Sequence, residues 1–126
     1  MKVTVIGLGP GGGADLTGRA RAALEACALI VGYTAYIDLV RADFPQKETL
    51  STGMRREVDR CRAAVEAART GKDVAVVCSG DSGVYGMAGL IYEVAQEYDP
   101  LEIEVVPGIT AACGGADVLG APLPPD

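Results

Sequence analysis

Apolar positions along this chain fall into two alternating patterns. Short runs rich in Val and Ile, typical of buried strands, are separated by longer stretches in which apolar residues recur with helical period. This alternation is typical of an α/β protein in which helices cover a mostly parallel sheet. We therefore predict a mostly parallel five-stranded sheet flanked by helices, with strands over residues 2–8, 28–31, 48–50, 73–78 and 102–106.

Helices are predicted between these strands. Thr17 is a good N-cap for the first helix, which runs to Cys27, and the second is predicted over residues 34–41, before Pro45. The third helix has apolar residues at spacings of four and three, and Gly71 is predicted to end it. Its stripe is Met54, Val58, Cys61, Val65 and Ala68, and that of the fourth helix is Val84, Met87, Leu90, Ile91 and Val94. Both stripes are expected to face the core.

The end of the chain has a different composition. Pro107 and Gly108 turn the chain toward a fifth helix, predicted over residues 110–119. A stiff Pro-rich segment follows over residues 120–126, and such segments suit a domain boundary. We therefore expect an α/β domain over residues 1–120 and the start of a linker over residues 121–126.

Composition and charge narrow the function. The 126 residues carry a net charge of -6 and no cluster of Lys and Arg, so nucleic acids and anionic membranes are poor partners. The chain has no His, which excludes His-based triads and the usual zinc sites, and no metal site is predicted. Its four Cys residues are widely separated and predict free buried thiols. The apolar start is too short for a secretory signal and predicts a strand of a cytoplasmic protein.

Three glycine-marked loops follow the first, fourth and fifth predicted strands. They cover residues 7–13, 79–86 and 107–112. Ligands of open α/β sheets bind outside the carboxyl ends of the strands, so these loops are the candidate binding site. An elongated small molecule could lie across all three.

The first loop matches GxGxxG at Gly7, Gly9 and Gly12, a pattern of dinucleotide-binding folds. Pro10 removes one amide from the cradle, and residues 13–16 separate it from the helix, so the pyrophosphate would not meet the helix N-terminus. The second strand is also not followed by an acid for a ribose hydroxyl. An NAD-dependent oxidoreductase is disfavoured but stays an alternative.

The other two loops allow a structural and a ligand-binding interpretation. No Lys follows Asp73, so residues 79–86 cannot form a Walker A loop. Asp81 suits a ligand with an amino, sulfonium or ribose group, although Asp81 and Ser82 could equally cap the fourth helix. Thr110 could cap the fifth helix without any ligand.

Together the three motifs resemble those of the tetrapyrrole (corrin/porphyrin) methylases, which are S-adenosylmethionine-dependent methyltransferases. The motifs are Gly-Leu-Gly-Pro-Gly at 7–11, Ser-Gly-Asp-Ser-Gly-Val-Tyr-Gly at 79–86 and Val-Val-Pro-Gly-Ile-Thr-Ala at 105–111. Their order and spacing agree over essentially the whole chain, although the family often has Pro where Ser82 stands. Within the family, the residues around the second motif are most similar to precorrin-3B C17-methyltransferases of cobalamin synthesis.

The resemblance implies a function and a set of contacts. The expected activity is C17 methylation of precorrin-3B or cobalt-factor III with contraction of the ring, in a cytoplasmic homodimer. The cofactor would be S-adenosylmethionine, leaving as S-adenosylhomocysteine, and a second α/β domain would follow Asp126. The implied cofactor-binding residues are Pro10, Ser79, Gly80, Asp81, Val84, Thr110 and Ala111. Asp15 and Tyr33, polar groups near strand ends, are our own predictions for the tetrapyrrole side.

No catalytic residue is assigned, because methyl transfer from a sulfonium mainly requires alignment and exclusion of water. An acidic domain is an unexpected partner for a substrate rich in carboxylates, so local cations must offset its charge. Arg19, Arg55 and Arg56 are available for this, and the alternative source is the second domain that the resemblance implies. A non-catalytic partner-binding module stays a further alternative.

Overall fold

Five strands and four helices alternate through the part of the chain that the structure describes. The structure is a computed structural model, and it describes residues 2–9, 16–98 and 100–108, with the backbone alone at residues 80–82. The strands are β1 (Lys2–Leu8), β2 (Leu29–Tyr33), β3 (Glu48–Thr52), β4 (Asp73–Ser79) and β5 (Glu102–Val106). The helices are α1 (Gly18–Ala26), α2 (Thr34–Arg41), α3 (Glu57–Arg69) and α4 (Gly80–Ala95).

The strands form one parallel sheet in the order β3-β2-β4-β1-β5. This confirms the predicted α/β class and the parallel sheet. β4, which comes later in the chain, lies between β2 and β1, so the connection from β1 to β2 crosses over β4. Leu8 pairs with Ser79 and Ile6 with Val106, so β4, β1 and β5 end at the same edge.

Two apolar layers cover the two faces of the sheet. Alternate strand residues such as Val5 and Val76 pack with buried residues of α3 and α4. Their neighbours, including Ile6 and Val77, pack with α1 and α2 on the other face. Strands buried on both faces need apolar residues at successive positions, which explains the nearly continuous Val and Ile runs in the sequence.

Several helix ends follow local rules that the sequence already indicates. Thr17 caps α1, because its Oγ1 accepts a hydrogen bond of 3.0 Å from the amide of Ala20. Gly71 has φ of 102°, a left-handed conformation that glycine adopts at low cost, and it lies just after α3. These findings confirm the predicted cap and the predicted end of the third helix, and α2 has the predicted bounds.

The prediction that residues 79–86 form a loop was wrong. β4 extends to Ser79 and α4 begins at once at Gly80. The glycines in this segment do not break the helix, because Val84, Met87 and Ile91 bury one side of α4 against the sheet. Tertiary packing here outweighs the low helix propensity of glycine, which is about 1 kcal/mol per residue.

The predicted core stripe of the third helix was wrong at its beginning. Met54 lies before α3 and is 71% exposed, and Val58 is 48% exposed. The chain leaves β3 through a turn in which Arg55 has φ of 63°, and this turn delays the helix until Glu57. The buried residues are Arg60, Cys61, Ala64, Val65 and Ala68.

Some predictions concern residues that the structure does not describe. The fifth helix over residues 110–119 and the segment 121–126 lie outside the described residues, and the division at residue 120 stays a prediction. Cys113 lies outside them too, whereas Cys27, Cys61 and Cys78 are free and buried, as predicted. Among the described helices, none is long and apolar enough to cross a membrane.

Candidate functional site

The candidate site lies at the edge of the sheet where the parallel strands have their carboxyl ends, here called the carboxyl edge. β4, β1 and β5 are neighbours in the sheet, so the segments that follow them start side by side. The three glycine-marked segments therefore start at one edge of the sheet, as predicted. Their described residues there include Gly9, Ser79 and Pro107.

The connections leave this edge in opposite directions. β1 leads to α1 on one face of the sheet, whereas the adjacent β4 leads to α4 on the other face. Adjacent strands whose connections leave toward opposite faces form a topological switch point, and ligands of open α/β sheets bind outside the strand ends there. We call this place the β1–β4 crevice, bounded by Leu8 and Ser79.

The exit of β5 approaches the end of β1 closely. A Cβ atom on Gly108 would lie 2.9 Å from the carbonyl oxygen of Gly7 and 3.1 Å from its carbonyl carbon. Because both contacts are with main-chain atoms, no side-chain rotation can relieve them. Glycine at position 108 therefore lets the third segment lie close against the end of β1, which borders the β1–β4 crevice.

Ser79 lies between β4 and α4 at the crevice. It is exposed and stands at the N-cap position of α4, yet its side chain makes no cap hydrogen bond. A Cβ on Gly83 would lie 3.3 Å from its hydroxyl oxygen, so glycine leaves room beside this group. This hydroxyl has no hydrogen bond to another described residue, and it and the first-turn amides that it does not cap are groups that can bond a ligand.

The predicted cofactor residues have different positions. The backbone of Gly80 and Asp81 forms the first turn of α4, next to Ser79. Val84 is fully buried in the core beneath α4, so its side chain packs against the protein. Pro10, Asp15, Thr110 and Ala111 lie outside the described residues.

A second cavity lies at the same edge, beyond the ends of β2 and β3. Its volume is about 230 Å³, and we call it the Tyr33 pocket. Tyr33 packs edge-to-face on Tyr36, with ring centroids 5.6 Å apart and the planes at 72°. The lining residues are Tyr33, Tyr36, Met54, Arg55, Glu57 and Arg60.

Arg60 is the buried cation of this pocket and is only 6% exposed. Its Nε donates to Thr52 Oγ1 at 2.8 Å, and its Nη2 donates to the carbonyl oxygen of Gly53 at 3.4 Å. Arg60 is not among the site residues predicted from the sequence. The signal was its spacing of four residues from Ala64 and eight from Ala68, which places all three on one helical face.

The buried thiols near this region are poor nucleophiles. Burial raises the pKa of Cys78 to about 12 and that of Cys61 to about 11. The positive charge of Arg60 opposes the rise of both pKa values, so the guanidinium lies near both thiols. Cys61 Sγ is also 3.3 Å from Met87 Sδ. Since the thiolate is the reactive form, neither group suits covalent catalysis at neutral pH.

The three candidate arginines differ in their partners. Arg19 donates to Glu104 at 3.0 Å, and this bond, with that from Lys2, holds the pKa of Glu104 below its ordinary value. Arg56 donates to Asp59 at 2.7 Å. Of these three arginines, only Arg55 lines the Tyr33 pocket. It has no hydrogen bond or ion pair with the other described residues.

A further cavity of about 250 Å³ lies away from the carboxyl edge. It includes Lys2 and Asp73, the first residues of β1 and β4, together with Arg19 and Glu104. Arg19, one of the arginines expected to balance the charge of the substrate, therefore lies at this cavity and not at the carboxyl edge. No group of three or more acidic or Cys side chains in the described residues is arranged to hold a metal.

The fold and the carboxyl edge together define a parallel α/β protein with a ligand crevice at a topological switch point. Residues 2–125 match the family described as Tetrapyrrole (Corrin/Porphyrin) Methylases. The chain belongs to this family.

Relatives and solved structures are similar over nearly the whole chain. A probable cobalt-factor III C(17)-methyltransferase of Salmonella typhimurium is 47% identical over 96% of this chain and 51% of its own length. The crystal structure of the methyltransferase CobJ is 40% identical, with a TM-score of 0.77, over 96% of this chain and 52% of that one. The chain therefore spans about half the length of both.

One solved structure of the same fold carries a ligand. It is a uroporphyrin-III C-methyltransferase from Thermus thermophilus complexed with S-adenosylhomocysteine. It is 24% identical, with a TM-score of 0.65, over 90% of this chain and 48% of that one. The relatives and structures described here give no support to an NAD-dependent oxidoreductase or a non-catalytic module.

Proposed function

We propose that this chain is part of an S-adenosylmethionine-dependent methyltransferase that methylates a tetrapyrrole during cobalamin biosynthesis. The reaction would be C17 methylation of cobalt-factor III or of precorrin-3B, with contraction of the ring. The observation that carries this proposal is the 47% identity to a protein named for that reaction, over 96% of this chain. The carboxyl edge of the sheet is the proposed place of the reaction.

The proposed cofactor position is the β1–β4 crevice. Ser79 offers an exposed hydroxyl, and the main chain at Gly80 and Asp81 offers the first amides of α4. These groups suit the polar ends of S-adenosylmethionine. Pro10, Thr110 and Ala111 would complete the contacts from the segments after β1 and β5. Val84 would support the first turn of α4 from beneath, because its side chain packs in the core.

The mechanism requires little acid-base chemistry from this chain. When bound, S-adenosylmethionine would supply a methyl group on a sulfonium, which would pass in line to a carbon nucleophile as the C–S bond breaks and the thioether S-adenosylhomocysteine leaves. The chain's residues would hold the two reactants close, aligned and shielded from water, which is where such reactions gain rate. The protonated thiols at Cys61 and Cys78 are consistent with a site that uses no thiolate.

The tetrapyrrole is proposed to lie toward β2 and β3. Tyr33 ends β2 and lines a pocket at the carboxyl edge, which supports its role on the substrate side. Asp15, outside the described residues, remains a prediction for the same side. The homodimer and the cytoplasmic location are also proposals, and size-exclusion chromatography with light scattering would measure the former.

Calorimetric titration of S-adenosylhomocysteine tests the proposal, using protein expressed from the complete native reading frame. Saturable one-to-one binding is expected. Gly80→Leu adds a large side chain at the first residue of α4, next to Ser79, whereas Gly89→Leu makes the same change on an exposed part of that helix with no atom within 4 Å of a new Cβ. We expect Gly80→Leu to weaken binding at least about tenfold, equivalent to about 1.4 kcal/mol, and Gly89→Leu to leave it unchanged.

Two outcomes would contradict the proposal. Absence of saturable binding to the unmodified protein would reject the methyltransferase assignment. Equal affinities for both leucine variants would reject the β1–β4 crevice as the cofactor site. A parallel titration with NADH separates the alternatives, because binding of NADH without S-adenosylhomocysteine would favour an oxidoreductase.

A further inference from the structure

Three positive features converge on the Tyr33 pocket. Arg60 is buried and lines the pocket. Its side chain donates two hydrogen bonds to described residues, one from Nε and one from Nη2. A guanidinium has five N–H donors in a planar fork, so several remain for another acceptor. Arg55 lines the pocket without an ion-pair partner in the described part of the chain.

The start of α3 is the third feature. The helix has 13 residues and begins at Glu57, a lining residue. Arg56, at the N-cap position, makes no side-chain cap hydrogen bond, so its side chain satisfies none of the first-turn amides. The positive end of the helix dipole therefore adds to the charges of Arg55 and Arg60. A buried arginine, an exposed arginine and a helix N-terminus are together a site for an anion.

Glu57 is the opposing charge and must be counted. It is exposed on the rim, and it lowers the formal charge of the lining from two positive charges to one. Asp59, the other acid of the first turn, is bonded to Arg56 and does not line the pocket. The pocket therefore stays positive in a chain whose net charge is -6.

The size of the pocket limits what it can hold. Its volume of about 230 Å³ is below the range of about 300–1,000 Å³ typical of pockets that enclose a drug-sized ligand. It can take a carboxylate on a short aliphatic arm, but not a macrocycle. The tyrosine pair forms an aromatic wall beside this space, suited to the apolar part of such an arm.

The pocket also has a defined position relative to the proposed cofactor site. Arg60 acts electrostatically on Cys78, the residue immediately before Ser79 on β4. Its guanidinium is held at the end of β3 by Thr52 and Gly53, and only β2 separates β3 from β4 in the sheet. A molecule anchored by it would extend along the carboxyl edge toward the β1–β4 crevice.

We propose that the Tyr33 pocket binds a carboxylate-bearing side arm of the tetrapyrrole, an inference that rests on the proposed function. Arg60 and Arg55 would bind the carboxylate. Arg60 forms the fixed base of the site, because Thr52 and Gly53 hold its guanidinium in place. Arg55 closes it from the exposed side. The anchor resolves how an acidic domain accepts a polyanionic substrate.

Two adjacent arginines provide a matched test. Arg55→Gln and Arg56→Gln remove the same charge from the same turn, but only Arg55 lines the pocket. The probe is uroporphyrin III, a fluorescent polycarboxylate tetrapyrrole, titrated into the full-length protein by fluorescence. We expect Arg55→Gln to weaken binding about tenfold, as for loss of one charge-assisted hydrogen bond, and Arg56→Gln to change it less than about twofold. Glu57→Gln should strengthen binding.

The outcomes separate this inference from the proposed function. Unchanged binding in Arg55→Gln, or equal weakening in both glutamine variants, would overturn the pocket as the anchor. S-adenosylhomocysteine is titrated into the same proteins, and its affinity should be unchanged throughout. If the unmodified protein does not bind it, the proposed function fails while the comparison with uroporphyrin III still gives its own result.

Two further measurements test whether small free acids bind the pocket and whether the fold is kept when Arg60 is replaced. Propionate, which carries the same group without a macrocycle, should compete with uroporphyrin III only at far higher concentration. Competition at equal concentration would indicate a site for small free acids and would overturn the assignment to a side arm. Arg60→Lys keeps the charge but loses the fork, and we expect weaker uroporphyrin III binding with circular dichroism unchanged.

Discussion

A Cβ atom on Gly108 would lie 2.9 Å from the carbonyl oxygen of Gly7, although these residues belong to segments about a hundred positions apart. The contact joins the exit of β5 to the end of β1 through main-chain atoms alone. It also fixes the spacing of two segments that border the candidate site. A residue with any side chain at position 108 must push these segments apart.

Gly108→Ala should therefore destabilise the protein. Forcing atoms into a well-packed site costs about 1–3 kcal/mol in the free energy of unfolding. Gly53→Ala is the matched control, because Gly53 also follows a strand end but has no atom within 4 Å of a new Cβ. Its change should stay within about 0.5 kcal/mol. Equilibrium urea unfolding measures both, and equal midpoints would show that the Gly7 contact carries no constraint.

Gly32 predicts a second steric effect, this time with a rescue. A Cβ there would lie 2.6 Å from Val77 Cγ2, so Gly32→Ala should cost about 1–3 kcal/mol in the free energy of unfolding. Val77→Ala removes the colliding methyl group, and the two changes together should cost less than their sum by about 0.5–3 kcal/mol. Val76 faces the other layer of the core, so Val76→Ala should combine with Gly32→Ala almost additively. Urea unfolding of the single and double variants measures the coupling free energy of each pair. Equal coupling of Gly32→Ala with Val77→Ala and with Val76→Ala would refute the contact between Gly32 and Val77.

Much of the fold could be predicted from local patterns. β1, α2 and β5 have the predicted bounds, because apolar runs and simple helix signals coincide there with the final packing. Thr17 could be assigned as a cap because N-capping depends on one side chain and the amides that follow it. The parallel class followed from the alternation of strand and helix patterns.

The failures have a common physical cause, which is contact between distant segments. The start of α4 at Gly80 depends on packing of Val84 and its neighbours against the sheet, which outweighs the propensity of glycine. The burial of Arg60 depends on acceptors in the turn after β3. Strand order could not be predicted either, because a parallel sequence pattern does not say which strands pair.

The candidate site was predictable in its place but less so in its members. Motifs at strand ends indicated the carboxyl edge, and β4, β1 and β5 are neighbours there. Val84, taken as a cofactor residue by resemblance, has a buried side chain. A motif fixes residue types, but not which of them turn inward.

The buried thiols predict a stability that declines in alkali. The pKa of Cys78 is raised to about 12 and that of Cys61 to about 11, from an ordinary value of 9.0, so folding favours their protonated forms. This contribution is fully present below about pH 9 and is lost as the pH rises through the two raised pKa values. The free energy of unfolding should fall between pH 9 and pH 11 more steeply than in a variant with Cys61→Ala and Cys78→Ala. Parallel pH profiles for the two proteins would contradict the role of these thiols.

Two glycines of α4 should respond in different ways to the same substitution. Gly89 is exposed and has no atom within 4 Å of a new Cβ, so Gly89→Ala should stabilise the protein by about 0.5–1 kcal/mol through the helix propensity of alanine. Gly83→Ala gains the same propensity, but its Cβ would lie 3.3 Å from Ser79 Oγ. The hydroxyl must move, so the gain should be smaller, and S-adenosylhomocysteine should bind less tightly only to the Gly83→Ala protein. Thermal unfolding and calorimetry measure the two effects. Equal stabilisation with equal affinity would mean that the space beside Ser79 is not used by the cofactor.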